Sequence, residues 1–175
     1  MELIKSVFDI AKVIKLDSRA DNRGLMTVAA AEEALGDIGI PFNEKETRAY
    51  VMNKAGTFFG IHYREVSDPM AKLVTVIQGR GMDYLIDLRE DSPTYLQWEQ
   101  FELTAENALA VYVPAGIGHA FISMEENTIQ LFTIDKCGKE GLSKQLNYKE
   151  PRIGLKLPIE VTEISTYDAG AAFLR

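Results

Sequence analysis

His62 and His119 are the chain's two histidines. Imidazole ordinarily titrates near neutrality, so each is a candidate to take up or deliver a proton. His62 lies in the strand-like run Phe58-Phe59-Gly60-Ile61-His62-Tyr63; His119 follows the turn-rich Val113–Gly118 and leads into Ala120-Phe121. Taken singly, each reads equally well as a partly buried histidine with a hydrogen-bonded ring. Lys72 opens the run Lys72–Gln78, and local sequence alone reads it as a strand-end lysine reaching for solvent. Asp83 and Asp87 fall on one face of a β-rich run, because side chains alternate along a strand. That face is either solvated or interior; in the interior each carboxylate needs a cationic or donor partner. Arg89-Glu90-Asp91 reads as loop charge.

Other chemistries lack their signatures. There is no GxGxxG, Walker A or GxSxG motif, and no HxH or HExxH pair. Two histidines 57 residues apart, with one cysteine (Cys137), predict neither a metal centre nor an intrachain disulfide. No cofactor is expected.

The elements that must position these residues read as strands. Lys72–Gln78 alternates and stops at Gly79; Met82–Leu88 follows the Gly79-Arg80-Gly81 turn and predicts a hairpin with it. Tyr95–Leu103, Ala110–Val113, Ala120–Ser123 and Thr128–Ile134 add further strands, and the runs around Val51 and Phe58-Phe59 are apolar and poorly patterned. Turn signals recur about every 8–12 residues, as in an all-β sandwich or barrel. Helix is confined to Ala29–Leu35, with Gly36 as its stop, and a weak stretch at Asp168–Leu174. With 175 residues, 46% of them hydrophobic, the chain predicts a single antiparallel β domain spanning 1–175. Its net charge of −7 argues against a nucleic-acid partner. No stretch approaches the ~18 apolar residues of a membrane span, and Met1–Lys15 does not read as a signal peptide, so a cytoplasmic protein is expected.

Several short motifs, in order, resemble one family. They are Asp21-Asn22-Arg23-Gly24, Gly60-Ile61-His62-Tyr63, Lys72-Leu73-Val74, Asp83–Arg89, Ser92–Tyr95, Leu103–Asn107, Val113–Gly116 with His119 and Phe121, and Ser165–Ala169. Together, over Lys12–Leu174, they resemble the dTDP-4-dehydrorhamnose 3,5-epimerase family. The resemblance implies a cupin-like antiparallel jelly-roll barrel with few short helices, metal-free chemistry, a nucleotide-diphosphate sugar substrate and a homodimer with strands exchanged near its N-terminus. It assigns His62 as the base that removes the proton beside the C4 ketone. Asp168 becomes its orienting carboxylate, and Lys72 the cation that stabilises the enolate oxygen. It makes His119 and Asp83 a second polar pair near the sugar, and Arg23 a diphosphate contact.

The chain also departs from that family. The tyrosine that protonates the enolate from the opposite face falls at Phe132, a second tyrosine falls at Gly138, and a phosphate-binding arginine falls at Phe59. A Gln-Asp-Asn stretch that holds the nucleotide falls at Thr47-Arg48-Ala49, and a lysine falls at Tyr167. Arg48 or Arg64 is therefore a candidate replacement for the missing phosphate contact, and Tyr63 or Tyr112 for the missing acid. CDP- and GDP-sugars fit as well as dTDP-sugars. The expected activity is epimerisation at C3, C5 or both of a nucleotide-linked 4-keto-6-deoxy sugar. The alternatives are a one-base ketoisomerase or dehydratase, or a sugar-binding homologue without activity.

Overall fold

The protein, described by a computed structural model over residues 1–137 and 143–174, is built on two facing sheets. Gly138 lies outside the described residues. Numbered in chain order, the first sheet runs β1 (Glu2–Val7), β2 (Ala11–Lys15), β10 (Leu109–Val113), β7 (Lys72–Gln78), β12 (Thr128–Ile134), β5 (Glu46–Met52). The second runs β13 (Lys144–Gln145), β6 (Thr57–Tyr63), β11 (Ile117–Ser123), β8 (Arg80–Asp87), β9 (Trp98–Thr104). All these neighbours pair antiparallel. The two-residue β14 (Glu163–Ile164) departs from that expectation and pairs parallel with β6. A separate hairpin, β3 (Ser18–Asp21) and β4 (Gly24–Thr27), pairs with neither sheet. The helices are α1 (Glu32–Asp37) and α2 (Thr166–Ala169).

Alternation along β7 divides its side chains between two cores. Val74 and Val76 face inward to meet Leu85, Val111 and Phe121 between the sheets, whereas Leu73 faces outward into a layer with Ile14, Leu35, Phe42 and Tyr112. A third layer, centred on Phe58, Ile61, Tyr84, Ile86 and Ile122, covers the outer face of the second sheet, where Leu146 and Ile153 pack on it. Sheets covered on both sides lose the apolar–polar alternation of a half-solvated sheet. β11 is accordingly buried at every residue.

The Gly79 turn does not close a hairpin. β7 pairs with β10 and β12, whereas β8 pairs with β11 and β9, so the chain crosses from one sheet to the other at this point. Gly79 makes the corner with φ +73°, and a Cβ there would stand 2.6 Å from Thr128 Oγ1. The predicted strand at Tyr95 begins only at Trp98, because Leu96 and Gln97 are bonded to the Asp87 backbone instead. The first helix is shifted to Glu32–Asp37 and passes through Gly36.

Asp83 and Asp87 do share one face, and it is the inner one. Asp87 is fully buried and accepts hydrogen bonds from Arg89, from Ser92 Oγ at 2.5 Å and from Thr94 Oγ1 at 2.6 Å. Burial opposes its charge, but these donors outweigh burial and hold its pKa well below the usual carboxylate range. Arg89 is therefore the partner of a buried carboxylate rather than loop charge.

Candidate active site

A bulge in β6 builds the site. Phe121 of β11 pairs with Phe59 while His119 pairs with His62, so β6 spends one more residue than its neighbour over this stretch. The extra residue turns both Phe59 and His62 inward, which strict alternation forbids. Gly60 occupies the bulge with φ +117°, and a Cβ there would lie 2.7 Å from the His119 carbonyl oxygen. Only glycine allows this approach of β6 to β11.

His62 meets Asp168, 106 residues away in sequence, with Nε2 2.6 Å from Oδ1. Asp168 is carried by the short helix α2, where Ser165 Oγ caps the turn by accepting its N–H at 3.0 Å. Its other oxygen faces the Gly60 N–H at 3.4 Å, and the carboxylate is almost fully buried. A carboxylate in this position accepts from Nε2–H, which leaves Nδ1 of His62 as the proton acceptor.

His119 pairs in the same way with Asp83, Nε2 to Oδ2 at 2.7 Å, and both are buried. Burial pushes the His119 pKa down against the pull of Asp83, and the charge of Lys72 pushes the same way. Burial pushes Asp83 up, against His119 and Lys72. Lys72 does not reach for bulk solvent. It shares the inward parity of Val74, and burial pushes its pKa down to about 8 against the pull of Asp83. A lysine tuned this way is still a cation at neutral pH, but one poorly solvated and ready to pair with a developing negative charge.

These groups open on a cavity of about 430 Å³ between the sheets. His62, His119 and Phe59 line it from the second sheet; Lys72, Val74, Gln130, Phe132, Arg48 and Tyr50 line it from the first; Met70, Ile134, Ser143 and Tyr167 complete it. Arg48 stacks over the Phe132 ring at 5.9 Å and binds Glu46, and Tyr50 meets Phe59 edge-on with centroids 4.3 Å apart.

Most residues singled out in the sequence therefore converge. His62, Lys72, His119, Phe59, Phe132 and Arg48 line the cavity, and Asp168 and Asp83 stand directly behind its histidines. Arg23 does not join them: it lies at the tip of the β3–β4 hairpin, 84% exposed and paired with Asp21. Neither tyrosine suggested as a replacement acid is in the cavity. Tyr112 packs against Phe42 on the outer face of the first sheet, and Tyr63 lines a different depression together with Arg64. Arg64 donates to the Asp68 carbonyl and does not line the cavity that holds the histidines. Sequence reasoning missed Tyr50, Met70 and Gln130. Gln130 had a usable signal, since it shares strand parity with Phe132 and Ile134. Among the described residues no three His, Cys, Asp or Glu side chains gather to hold a metal ion.

Comparison with known proteins places the fold and the family. The sequence model of the dTDP-4-dehydrorhamnose 3,5-epimerase family matches residues 7–175. A dTDP-4-dehydro-6-deoxyglucose 3-epimerase of Streptomyces bikiniensis is 31% identical over 106 residues, 61% of this chain; the chain spans only about half of that relative, 54%. A dTDP-4-dehydrorhamnose 3,5-epimerase of Methanothermobacter thermautotrophicus is 26% identical over 160 residues, 91% of this chain and 85% of the relative. The crystal structure of the Bacillus anthracis dTDP-4-dehydrorhamnose 3,5-epimerase, with TDP and pyrophosphate bound, superposes with a TM-score of 0.91 at 26% identity, covering 99% of both chains. The shared fold is the cupin-like antiparallel jelly roll. With the match running through His62, Lys72 and Asp168 to the last residue, the chain belongs to the dTDP-4-dehydrorhamnose 3,5-epimerase family.

Proposed function

We propose that the protein is a single-domain epimerase that acts on a nucleotide-linked 4-keto-6-deoxy sugar in deoxysugar biosynthesis. One observation carries this reading: an imidazole tied by a buried carboxylate faces a cavity that also holds a desolvated lysine. The hydrogens on C3 and C5 are acidified by the C4 ketone. His62 Nδ1 takes one of them, and the electron pair left behind moves onto the C4 oxygen. Lys72 stabilises that oxygen as it becomes an enolate. Asp168 holds the imidazole in place and stabilises the imidazolium that forms. His119 and Asp83 keep Lys72 in a polar, charge-balanced setting.

Epimerisation also needs a proton returned to the opposite face. On the wall across from His62, Phe132 stands where the family has its tyrosine and has no proton to give, and Tyr50 on the same wall is set edge-on against Phe59. This favours a second reading, in which the same enolate is protonated by His62 on another atom or expels a neighbouring hydroxyl. Proton NMR in deuterated water separates the two, using dTDP-, CDP- and GDP-4-keto-6-deoxyglucose. Loss of the C3 or C5 signal with inverted stereochemistry supports the epimerase. Loss with a moved ketone or an eliminated hydroxyl supports the one-base reaction, and absence of any exchange rules out both. In the same assay, Phe132→Tyr is expected to raise the rate of inversion at least tenfold, since a placed general acid contributes about 10²–10⁴-fold. An unchanged rate would show a pocket adapted to different chemistry.

We further propose a cytoplasmic homodimer. The β3–β4 hairpin leaves Leu25 and Met26 exposed, and the edge strand β5 does the same with Tyr50 and Val51. Apolar residues on an unpaired edge and on a hairpin outside both sheets suit burial against a second copy. Such a dimer would give Arg23, at the hairpin tip, a route to the partner's cavity. Light scattering should return twice the chain mass of 19.5 kDa, and Met26→Asp should lower it towards the monomer value.

A further inference from the structure

Among the described residues that line the cavity, Gln130 alone carries a buried side-chain polar atom without a hydrogen-bond partner. It sits on β12 between the cross-strand neighbours Val76 and Tyr50, with Phe132 next on the same face. The residue is 5% exposed, and its Nε2 is buried without a hydrogen-bond partner. A buried amide left unpaired is destabilising, so one that lines a ligand cavity points to a partner that arrives with the ligand. The nature of that partner follows from the surroundings. Its cross-strand neighbours are Val76 and Tyr50, and Arg48, the cation of the next pair on this face, is already bound to Glu46 and stacked on Phe132, so the position suits a neutral group rather than a phosphate. A sugar hydroxyl both donates and accepts, and so satisfies either end of a carboxamide.

We infer that Gln130 reads a hydroxyl of the sugar ring, making it a specificity-determining residue of the cavity. This rests on the proposed sugar-nucleotide reading but not on the reaction that follows binding. Sites that offer a buried polar group discriminate strongly against ligands lacking its partner, because the group is then left unpaired. The role would be selection of ring hydroxylation, separate from proton transfer by His62.

The test is calorimetric binding to the native protein and to Gln130→Met, which keeps the side chain's length and removes its polarity. The probes are whichever of dTDP-, CDP- and GDP-glucose binds tightest, its 2-deoxy and 3-deoxy forms, and the free nucleoside diphosphate. The expected result is a roughly tenfold or greater loss of affinity for the full sugar nucleotide in Gln130→Met, with the nucleoside diphosphate unaffected. One of the deoxy sugars should lose the same factor on the native protein and nothing more on the variant. Equal binding of the full sugar nucleotide by both proteins overturns the inference. So does undiminished binding of both deoxy forms by the native protein, a comparison that needs no variant to fold. If the native protein exchanges C3 or C5 hydrogens while Gln130→Met binds normally, this inference alone fails. If Gln130 governs binding but no exchange occurs, the catalytic reading alone fails.

Discussion

His62→Ala should remove exchange of the sugar's C3 and C5 hydrogens, with a loss of about 10²–10⁴-fold or more in kcat. Both cavity imidazoles are tied through Nε2 to a buried carboxylate, but the His62 side chain is 26% exposed and the His119 side chain 8%, so His62 is the one with an acceptor nitrogen open to a ligand in the cavity that Lys72 lines from the other sheet. Its removal leaves the barrel intact, because the core around Val74, Leu85 and Phe121 does not depend on it. Substrate affinity should therefore change far less than turnover. Asp168→Asn separates positioning from proton transfer. An amide oxygen in the same place still accepts from Nε2–H, but it does not balance the imidazolium, so kcat should fall while KM is nearly kept. If His62→Ala exchanged hydrogens at the native rate in deuterated water, the base would have to be sought elsewhere in the cavity.

Lys72→Met should lose activity and gain stability in the same variant. The lost activity comes from the enolate oxygen, whose stabilisation by a preorganised cation is worth about 10²–10³-fold in kcat. The gained stability follows from the sign of the pKa shift. Lys72 has a folded-state pKa of about 8 against an ordinary 10.5, so folding works against its charged form. That penalty is fully present below about pH 8, shrinks as pH rises from 8 toward 10.5, and is absent once the amine is neutral in both states. Lys72→Met should therefore raise Tm at pH 7, by about 2–4 °C for each kcal/mol relieved, with little difference above pH 10.5. Native activity should also decline as pH passes about 8, because only the ammonium form stabilises an oxyanion. A Lys72→Met protein that keeps its kcat would exclude the oxyanion role.

Strands bounded by a turn signal were the readable part of this fold. β7 and β12 keep the bounds read from the sequence, Lys72–Gln78 and Thr128–Ile134, with Gly79 turning the chain out of β7 and Asn127 leading into β12. β1, β3 and β4 were not legible. They are almost wholly exposed and carry no apolar period. The supposed β7–β8 hairpin failed because a Gly-X-Gly turn marks a reversal without saying which sheet the next strand joins. At the site, residue types were legible but their grouping was not. Nothing local to Lys72 says that it turns inward, and nothing local to His62 announces a partner 106 residues away. The family resemblance supplied those pairings. Gln130 shows the converse limit, since a polar residue on an inward parity looks ordinary until its surroundings are seen to be apolar.

The helix that holds Asp168 has a consequence for how the protein responds to warming. α2 is a single turn, fastened by the Ser165 cap and by bonds from Asn147 to the carbonyls of Ala171 and Ala172, while Tyr167 on it and Phe173 after it are more than half exposed. So small a unit opens more easily than the sheets beneath it. Each opening takes the carboxylate away from His62 and leaves an untethered imidazole in an otherwise native barrel. Heat would therefore silence the protein in two stages: a reversible quieting as the tail frays, then the cooperative loss of the barrel itself.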